Sequence, residues 1–99
     1  MMYGLTDSDL DAMRSVFRTE RHLERVILYG SRAKGNYKPF SDIDITLVGD
    51  ELTEDEVSRL EIALDDLLLP YNMDVSRFSM LHNAQLINHI KRCGVTLYE

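Results

Sequence analysis

Segment 42–48 constrains the fold more than any other part of the sequence, because apolar and polar residues alternate strictly along it. Successive side chains of an extended chain point to opposite faces, so this segment is predicted to be a β-strand with one buried face. The predicted buried face carries the apolar residues Ile43, Ile45 and Leu47, and the opposite face carries the polar residues Asp42, Asp44 and Thr46. The strand therefore lies between a hydrophobic core and a polar surface.

Four helix signals alternate with four strand signals along the chain. The run Val26–Tyr29 is apolar on both faces, which is typical of a buried central strand. Strands are also predicted at Met73–Phe78 and, at the sheet edge, at Val95–Tyr98. This alternation predicts an α/β or α+β fold, and the length of 99 residues predicts one domain, 1–99.

The helix signals are capping residues followed by apolar stripes. Thr6 with Asp9 predicts a first helix over about 7–20, and Thr53 with Glu56 forms a second capping box. The second of these helices has the stripe Val57, Leu60, Leu64 and Leu67 and is expected to stop at Pro70. A last helix around 86–90 is expected to end with Gly94 at the position just after the helix.

Charge and composition exclude several classes of protein. The net charge is −6, with 17 acidic against 11 basic residues, so no nucleic-acid partner is expected. No stretch is apolar enough to cross a membrane, and the first residues do not resemble a signal peptide, so we expect a cytoplasmic protein without a membrane partner. Cys93 is the only cysteine, which rules out an internal disulfide.

Three aspartates are the candidate metal ligands. Asp42 and Asp44 project to the same side of one strand, with Cα atoms roughly 6.5–7 Å apart. Asp74 joins them if its strand lies beside theirs. Carboxylates at this spacing can bind one Mg²⁺ or bridge two metal ions, and a cation would relieve their mutual repulsion.

A glycine–serine turn directly after the first strand is a candidate phosphate site. Gly30 permits a tight turn and close approach of a ligand, and Ser31 could cap a short helix whose N–H groups would face a phosphate. Arg32 and Lys34 add positive charge nearby. A phosphate-binding turn near paired aspartates predicts a site for a nucleoside triphosphate with Mg²⁺. Four aromatic residues are candidates for stacking on the base: Tyr29, Tyr71, and Tyr37 and Phe40, which lie between the two motifs.

The sequence Gly30-Ser31, ten intervening residues and Asp42-Ile43-Asp44 resemble the signature of the DNA polymerase beta-like nucleotidyltransferase superfamily. The GSRAKG and SDID segments, the small size and Asp74 on a later strand resemble its minimal nucleotidyltransferase (MNT) branch. The resemblance spans nearly the whole chain. It implies a polymerase beta-like fold, with a mixed β-sheet of about four strands and helices packed mainly on one face.

The resemblance also implies roles for the residues of the motif. Gly30 and Ser31 would hold the β- and γ-phosphates of ATP, with Arg32 and Lys34 as further nucleotide-binding residues. The catalytic aspartates would bind two Mg²⁺ ions, and one of them would accept the proton of the attacking hydroxyl. These catalytic and metal-binding residues would be Asp42, Asp44 and Asp74, with Asp74 as the proton acceptor.

The resemblance further implies a partner. Members of the MNT family pair with small helical HEPN toxins, and the MNT protein is the antitoxin that attaches AMP to a tyrosine of the toxin. Two alternatives stay open from the sequence: a binding module that neutralises its partner by masking it, and a transferase that acts on a small molecule. Loss of neutralisation in Asp42→Asn or Asp44→Asn would favour catalysis over masking.

Overall fold

The computed structural model describes residues 1–99, which form four helices and four strands in alternation. In chain order these are α1 (Asp7–Phe17), β1 (Arg25–Tyr29), α2 (Ser31–Lys34), β2 (Ile43–Val48), α3 (Glu54–Asp65), β3 (Met73–Arg77), α4 (Ala84–Cys93) and β4 (Val95–Tyr98). A single 3₁₀ turn, Phe78–Met80, follows β3. None of the helices has both the length and the apolar character needed to span a bilayer.

The four strands form one mixed sheet in the order β3–β2–β1–β4. Strand β1 pairs antiparallel with both β2 and β4, whereas β2 and β3 are parallel. The sequence-based predictions of a central first strand and an edge position for the last strand are confirmed. The parallel pair requires a crossover connection, and α3 supplies it.

Both predicted capping boxes are present. The Thr6 hydroxyl accepts from the Asp9 amide at 3.0 Å, and the Asp9 carboxylate accepts from the Thr6 amide at 3.1 Å. The Thr53 and Glu56 pair repeats this arrangement at the start of α3. Both helices end earlier than predicted, α1 at Phe17 and α3 at Asp65. The chain leaves each helix through an i→i−3 hydrogen bond, from the Thr19 amide to the Val16 carbonyl and from the Leu67 amide to the Leu64 carbonyl.

The main core lies on one face of the sheet, between the sheet and the helices α1 and α3. Ile43, Ile45 and Leu47 are at most 1% exposed and form its floor, as the alternation predicted. Helix α4 packs against β1, where Gly94 lies against Ile27. Ile27 alternates with the core residues of β1, so α4 covers part of the other face. Helices therefore pack mainly, though not solely, on one face.

Gly94 differs from the expectation. It is the C-cap of α4 with φ −67° and ψ 148°, which is extended backbone and not the left-handed conformation typical of a glycine after a helix. The structure gives another reason for glycine at this position. A Cβ there would collide with the carbonyl oxygen of Ile90 and with Cγ2 of Ile27. Close packing of the end of α4 on β1, not a left-handed turn, requires the small residue.

The capping carboxylate of Glu56 is expected to make stability depend on pH. Its hydrogen bond from the Thr53 amide, with a further contribution from His22, lowers the pKa of Glu56 from 4.5 to about 2. A carboxylate with a lowered pKa stabilises the fold above its ordinary pKa, and that contribution is lost as pH falls from about 4.5 through about 2. Glu56→Gln keeps the capping geometry without the charge. We expect thermal melts to show a larger fall in Tm between pH 5.5 and pH 2.5 for the wild type than for Glu56→Gln, and equal falls would contradict this assignment.

Candidate active site

Asp44 and Asp74 lie directly opposite each other on neighbouring strands. The parallel register of β2 and β3 pairs Asp44 with Asp74, so both side chains point to the face of the sheet opposite the main core. Asp42 lies two residues before Asp44, just outside β2. Next to it, the amide of Ile43 donates to the carbonyl of Asn72 at 2.9 Å, which extends the pairing of β2 with the chain that leads into β3. The structure thus brings the three aspartates singled out in the sequence to one end of one polar face.

The three carboxylates influence one another electrostatically. Burial raises the pKa of Asp44, and the negative charges of Asp74 and Asp42 raise it further. Asp44 is half-buried, while the other two are exposed. A cation beside these groups would relieve this repulsion, and carboxylate oxygens are the ligands that Mg²⁺ prefers. The donor chemistry of the cluster therefore fits a divalent cation.

The cluster is not a preformed metal centre. No three His, Cys, Asp or Glu side chains of the chain converge closely enough to hold an ion as they stand. The strand register fixes the backbones of Asp44 and Asp74 side by side, whereas the exposed carboxylate of Asp74 is free to rotate. Binding of a cation here would thus require rotation of side chains and no rearrangement of the sheet.

The glycine–serine turn lies against these carboxylates. Gly30 follows β1, whose last residue, Tyr29, pairs with Asp44. Gly30 has a φ of 76°, and a Cβ built on it would collide with Oδ2 of Asp44. Gly30 also takes the N-cap position of α2. The sequence analysis expected Ser31 to be the cap, but Ser31 is the first residue of that short helix. The turn and the carboxylate of Asp44 are therefore adjacent.

Replacement of Gly30 by alanine should cost more stability than replacement of Gly35. Both glycines have positive φ. Gly35 is in the left-handed α region, which costs an alanine roughly 1–2 kcal/mol, whereas Gly30, with ψ −154°, is in a region that is essentially restricted to glycine. No atom lies within 4 Å of a Cβ at Gly35, whereas at Gly30 the Asp44 carboxylate must move. We expect Gly30→Ala to be less stable than Gly35→Ala by a further ~1 kcal/mol.

Denaturant melts of the two alanine variants measure this difference. Asp44→Ala removes the colliding carboxylate. The double variant Gly30→Ala/Asp44→Ala should therefore lose less stability than the sum of its two single variants, whereas the losses in Gly35→Ala/Asp44→Ala should add. Equal costs for the two single glycine variants would contradict the close packing of turn and carboxylate.

Arg32 has a role that the sequence did not predict. Its side chain is only 1% exposed, and its guanidinium donates to the carbonyl oxygens of Tyr3 at 3.0 Å and of Ser41 at 2.9 and 3.1 Å, with a longer contact to Pro39 at 3.5 Å. These contacts occupy all three guanidinium nitrogens. Arg32 therefore holds the loop that leads to the aspartates, and its expected contact with a phosphate stays a prediction.

Two aromatic rings flank the Arg32 guanidinium. Its central carbon lies 4.6 Å from the ring centre of Tyr71 and 5.3 Å from that of Tyr37. Tyr71 comes just before β3, so Arg32 connects the approach to β3 with the loop between α2 and β2. Tyr37 is engaged here, which leaves Phe40, 89% exposed, as the fully free ring of that loop. The Lys34 side chain is exposed at the end of α2.

Sequence reasoning missed the position of Tyr29. This residue is 8% exposed and pairs with Asp44 on the polar face. Burial raises the pKa of Tyr29, as do the charges of Asp74 and Asp44, while a hydrogen bond from the Ser76 hydroxyl opposes the rise. The strand parity of β1 could have revealed it, because Val26 and Leu28 point into the core and leave Tyr29 on the other face. Tyr29 therefore lies beside Asp44 on this face of the sheet.

Comparisons with known proteins agree with this architecture. A chain from a solved toxin–antitoxin complex with AMP-PNP superposes with a TM-score of 0.70 at 21% identity, over 89% of this chain and 71% of that chain. A second match is a chain from the solved complex of a tri-AMPylated Shewanella oneidensis HEPN toxin with an MNT antitoxin. It superposes with a TM-score of 0.67 at 18% identity, over 94% of this chain and 71% of that chain. At these identities, the similarity establishes the fold. No curated protein sequence matches the chain.

The sequence also matches a family model. The model for polymerase beta nucleotidyltransferases matches residues 11–99, which include the glycine–serine turn, all three aspartates and the four strands that position them. This confirms the resemblance inferred from the motif. The chain belongs to the polymerase beta nucleotidyltransferase family.

Proposed function

We propose that this nucleotidyltransferase transfers AMP from ATP to a hydroxyl group in a Mg²⁺-dependent reaction. The observation that carries the proposal is the register of β2 and β3, which sets Asp44 beside Asp74 with Gly30 packed against the Asp44 carboxylate. Acidic groups for a cation and a turn for phosphates occur together in that arrangement. A lone glycine–serine turn or a lone pair of acids would not support the proposal.

In the proposed reaction, each residue of the site has a separate role. Gly30 lets the triphosphate approach the backbone closely, while the Ser31 hydroxyl and the Lys34 ammonium bind its oxygens. Asp42, Asp44 and Asp74 would hold Mg²⁺, which supplies charge neutralisation to the triphosphate when bound. Phe40 is available to stack on the base.

In the transfer step, the acceptor oxygen forms a bond to the α-phosphorus as the bond from that phosphorus to the bridging oxygen of the β-phosphate breaks. Pyrophosphate leaves, and the hydroxyl proton passes to the carboxylate of Asp74. This side chain is exposed, so it can reach a hydroxyl presented from outside the chain. Tyr29 excludes water from the inner side of the carboxylates.

We propose that the acceptor is a tyrosine of a HEPN-type toxin and that the chain acts as its antitoxin. The similar fold in a complex with a tri-AMPylated HEPN toxin supports this pairing. The exposed position of Asp74 also suits a macromolecular acceptor more than a small molecule that needs an enclosing cleft. The proposal places both proteins in the cytoplasm, where ATP is abundant.

A masking role is the second candidate, and one observation favours it. Ile62 and Leu68 expose large apolar side chains, 63% and 87% exposed, on a surface away from the aspartates. Apolar side chains of this kind are typical of a surface that contacts a partner. A partner bound there could be neutralised without any chemistry.

One labelling experiment tests the transfer. The chain would be incubated with Mg²⁺, ATP labelled at the α-phosphate, and a purified HEPN-type toxin. We expect label on the HEPN protein and an added adenylate on one of its tyrosines by mass spectrometry. ATP labelled at the γ-phosphate should leave the protein unlabelled, and EDTA should abolish the reaction.

The outcomes separate the two candidates. Neutralisation of the partner without any adenylate, and without dependence on ATP, would support masking and contradict the proposed transfer of AMP. Transfer to small hydroxyl compounds with none to the protein would instead assign the chain to the small-molecule class.

A further inference from the structure

An apolar groove with an acidic rim runs between α3 and the edge strand β3. It consists of two adjoining cavities of about 610 Å³ and 330 Å³, which share Glu61 and Val75 as lining residues. Leu64 and Met73 complete the floor of the larger cavity. Since β3 is the last strand on this side of the sheet, no further strand closes the groove.

Apolar side chains around this groove are exposed without a partner inside the chain. Ile62 lines the larger cavity and Met80 the smaller one, with 63% and 54% of their surfaces exposed. Leu68, 87% exposed, precedes the lining residue Leu69 and has a φ of 55°. A left-handed backbone conformation is unfavourable for leucine, and the exposed side chain makes no packing contacts that would compensate for it. Neither local conformation nor the core explains a leucine there, but contact with a partner does.

The charge around the groove is mainly negative. Glu54, Glu61 and Asp65 line it, and Arg77 is the one basic residue among the lining side chains. The Arg77 guanidinium is already engaged with the carbonyl of Leu52 at 2.6 Å. An apolar floor under an acidic rim is complementary to an amphipathic segment with basic residues beside its apolar stripe.

We propose that this groove docks a cationic amphipathic helix of the protein that carries the acceptor hydroxyl. The inference rests on the proposed transfer function and names the surface that this function uses to select its acceptor. Met73 and Val75 point into the groove from β3, while Asp74 between them points to the opposite face. A partner seated in the groove is therefore one strand away from Asp74. A segment of that partner that passes around the free edge of β3 reaches the carboxylates.

Synthetic peptides test the docking without knowledge of the partner. The probe is a fluorescent 18-residue helix with leucines at i, i+3, i+4 and i+7 spacing and lysines elsewhere. A glutamate version and a scrambled version of the same composition are its comparisons. We expect the chain to bind the lysine helix at 0.15 M salt at least tenfold more tightly than either comparison peptide, measured by fluorescence anisotropy.

Matched variants locate the binding surface. Glu61→Lys/Asp65→Lys and Ile62→Glu alter exposed groove residues, and each should weaken binding of the lysine helix at least tenfold. Asp11→Lys/Glu99→Lys makes the same change of net charge on exposed residues outside the groove and should change binding less than about twofold. Circular dichroism melts of each variant exclude unfolding as the cause.

Each other result overturns the proposal. An equal loss in the two lysine double variants, or equal binding of the scrambled peptide, would show only general attraction to an acidic protein. Concentration-dependent self-association that Ile62→Glu abolishes would assign the groove to a second copy of the chain. Asp44→Asn separates this inference from the transfer, because it should bind the lysine helix like the wild type while it no longer transfers AMP.

Discussion

Replacement of Asp44 by asparagine is expected to lower the rate of AMP transfer by at least about 100-fold. Loss of a group that only supports a metal ligand typically costs 10–100-fold, so loss of a ligand itself should cost more. Asparagine keeps the shape of the side chain but removes the charge that attracts a cation. Transfer of the α-phosphate label at saturating Mg²⁺ and ATP measures the effect.

The same substitution should not destabilise the ligand-free protein. Burial and the neighbouring acids raise the pKa of Asp44, so the ionised carboxyl costs stability above that raised pKa, and the cost disappears as pH falls through it. Asparagine removes the cost at pH 7, so Tm without metal should be unchanged or higher. Asp50→Asn, at an exposed acid outside the site, is the matched control and should keep full activity. Activity of Asp44→Asn within about threefold of the wild type would remove these carboxylates from the mechanism.

Replacement of Arg32 by methionine is expected to lower the free energy of unfolding by about 3 kcal/mol or more. Methionine leaves partly buried carbonyl groups, those of Tyr3 and Ser41, without their donors, at a cost of about 1–3 kcal/mol each. The stacking on Tyr71 is lost as well. In a domain of this size, this loss lowers Tm by more than about 12 °C, which a thermal melt detects directly.

Two further variants show whether the forked guanidinium is responsible. Lys34→Met removes a cation from the exposed end of the same helix and should change stability by less than about 0.5 kcal/mol. Arg32→Lys keeps the charge but cannot donate to several carbonyls at once. Its free energy of unfolding should therefore be close to that of Arg32→Met and well below that of the wild type. Hydrogen exchange of the loop 36–41 should accelerate in both Arg32 variants. A lysine variant as stable as the wild type would show that charge alone matters.

Local sequence patterns were sufficient to predict the strands, the starts of two helices and the shared face of the aspartates. The alternation around Ile45 placed β2 and its two faces, and the pairs Thr6/Asp9 and Thr53/Glu56 placed the starts of α1 and α3. Each of these signals depends on residues within one turn or one strand. Asp74 reached the correct face because a strand has a fixed parity.

Contacts between distant segments were not predictable in the same way. Nothing near Arg32 in sequence indicated that Tyr3 and Tyr71 would surround it, so a basic residue beside a phosphate turn was expected to bind phosphate. The burial of Tyr29 likewise depends on the register between β1 and β2. Gly94 had the expected residue type for an unexpected reason, its packing on Ile27.

The parallel pairing of β2 and β3 has a consequence for how this protein acquires its activity. Strand β1, the turn and β2 are contiguous, but Asp74 arrives only after α3 has folded back across the sheet. Such a crossover is a long-range, slowly formed contact. A chain in which this crossover has not formed would have the glycine–serine turn beside two of the aspartates but not Asp74. If the proposed site is right, ATP with Mg²⁺ should stabilise the chain with a completed crossover more than one without it, because a ligand stabilises the state that binds it.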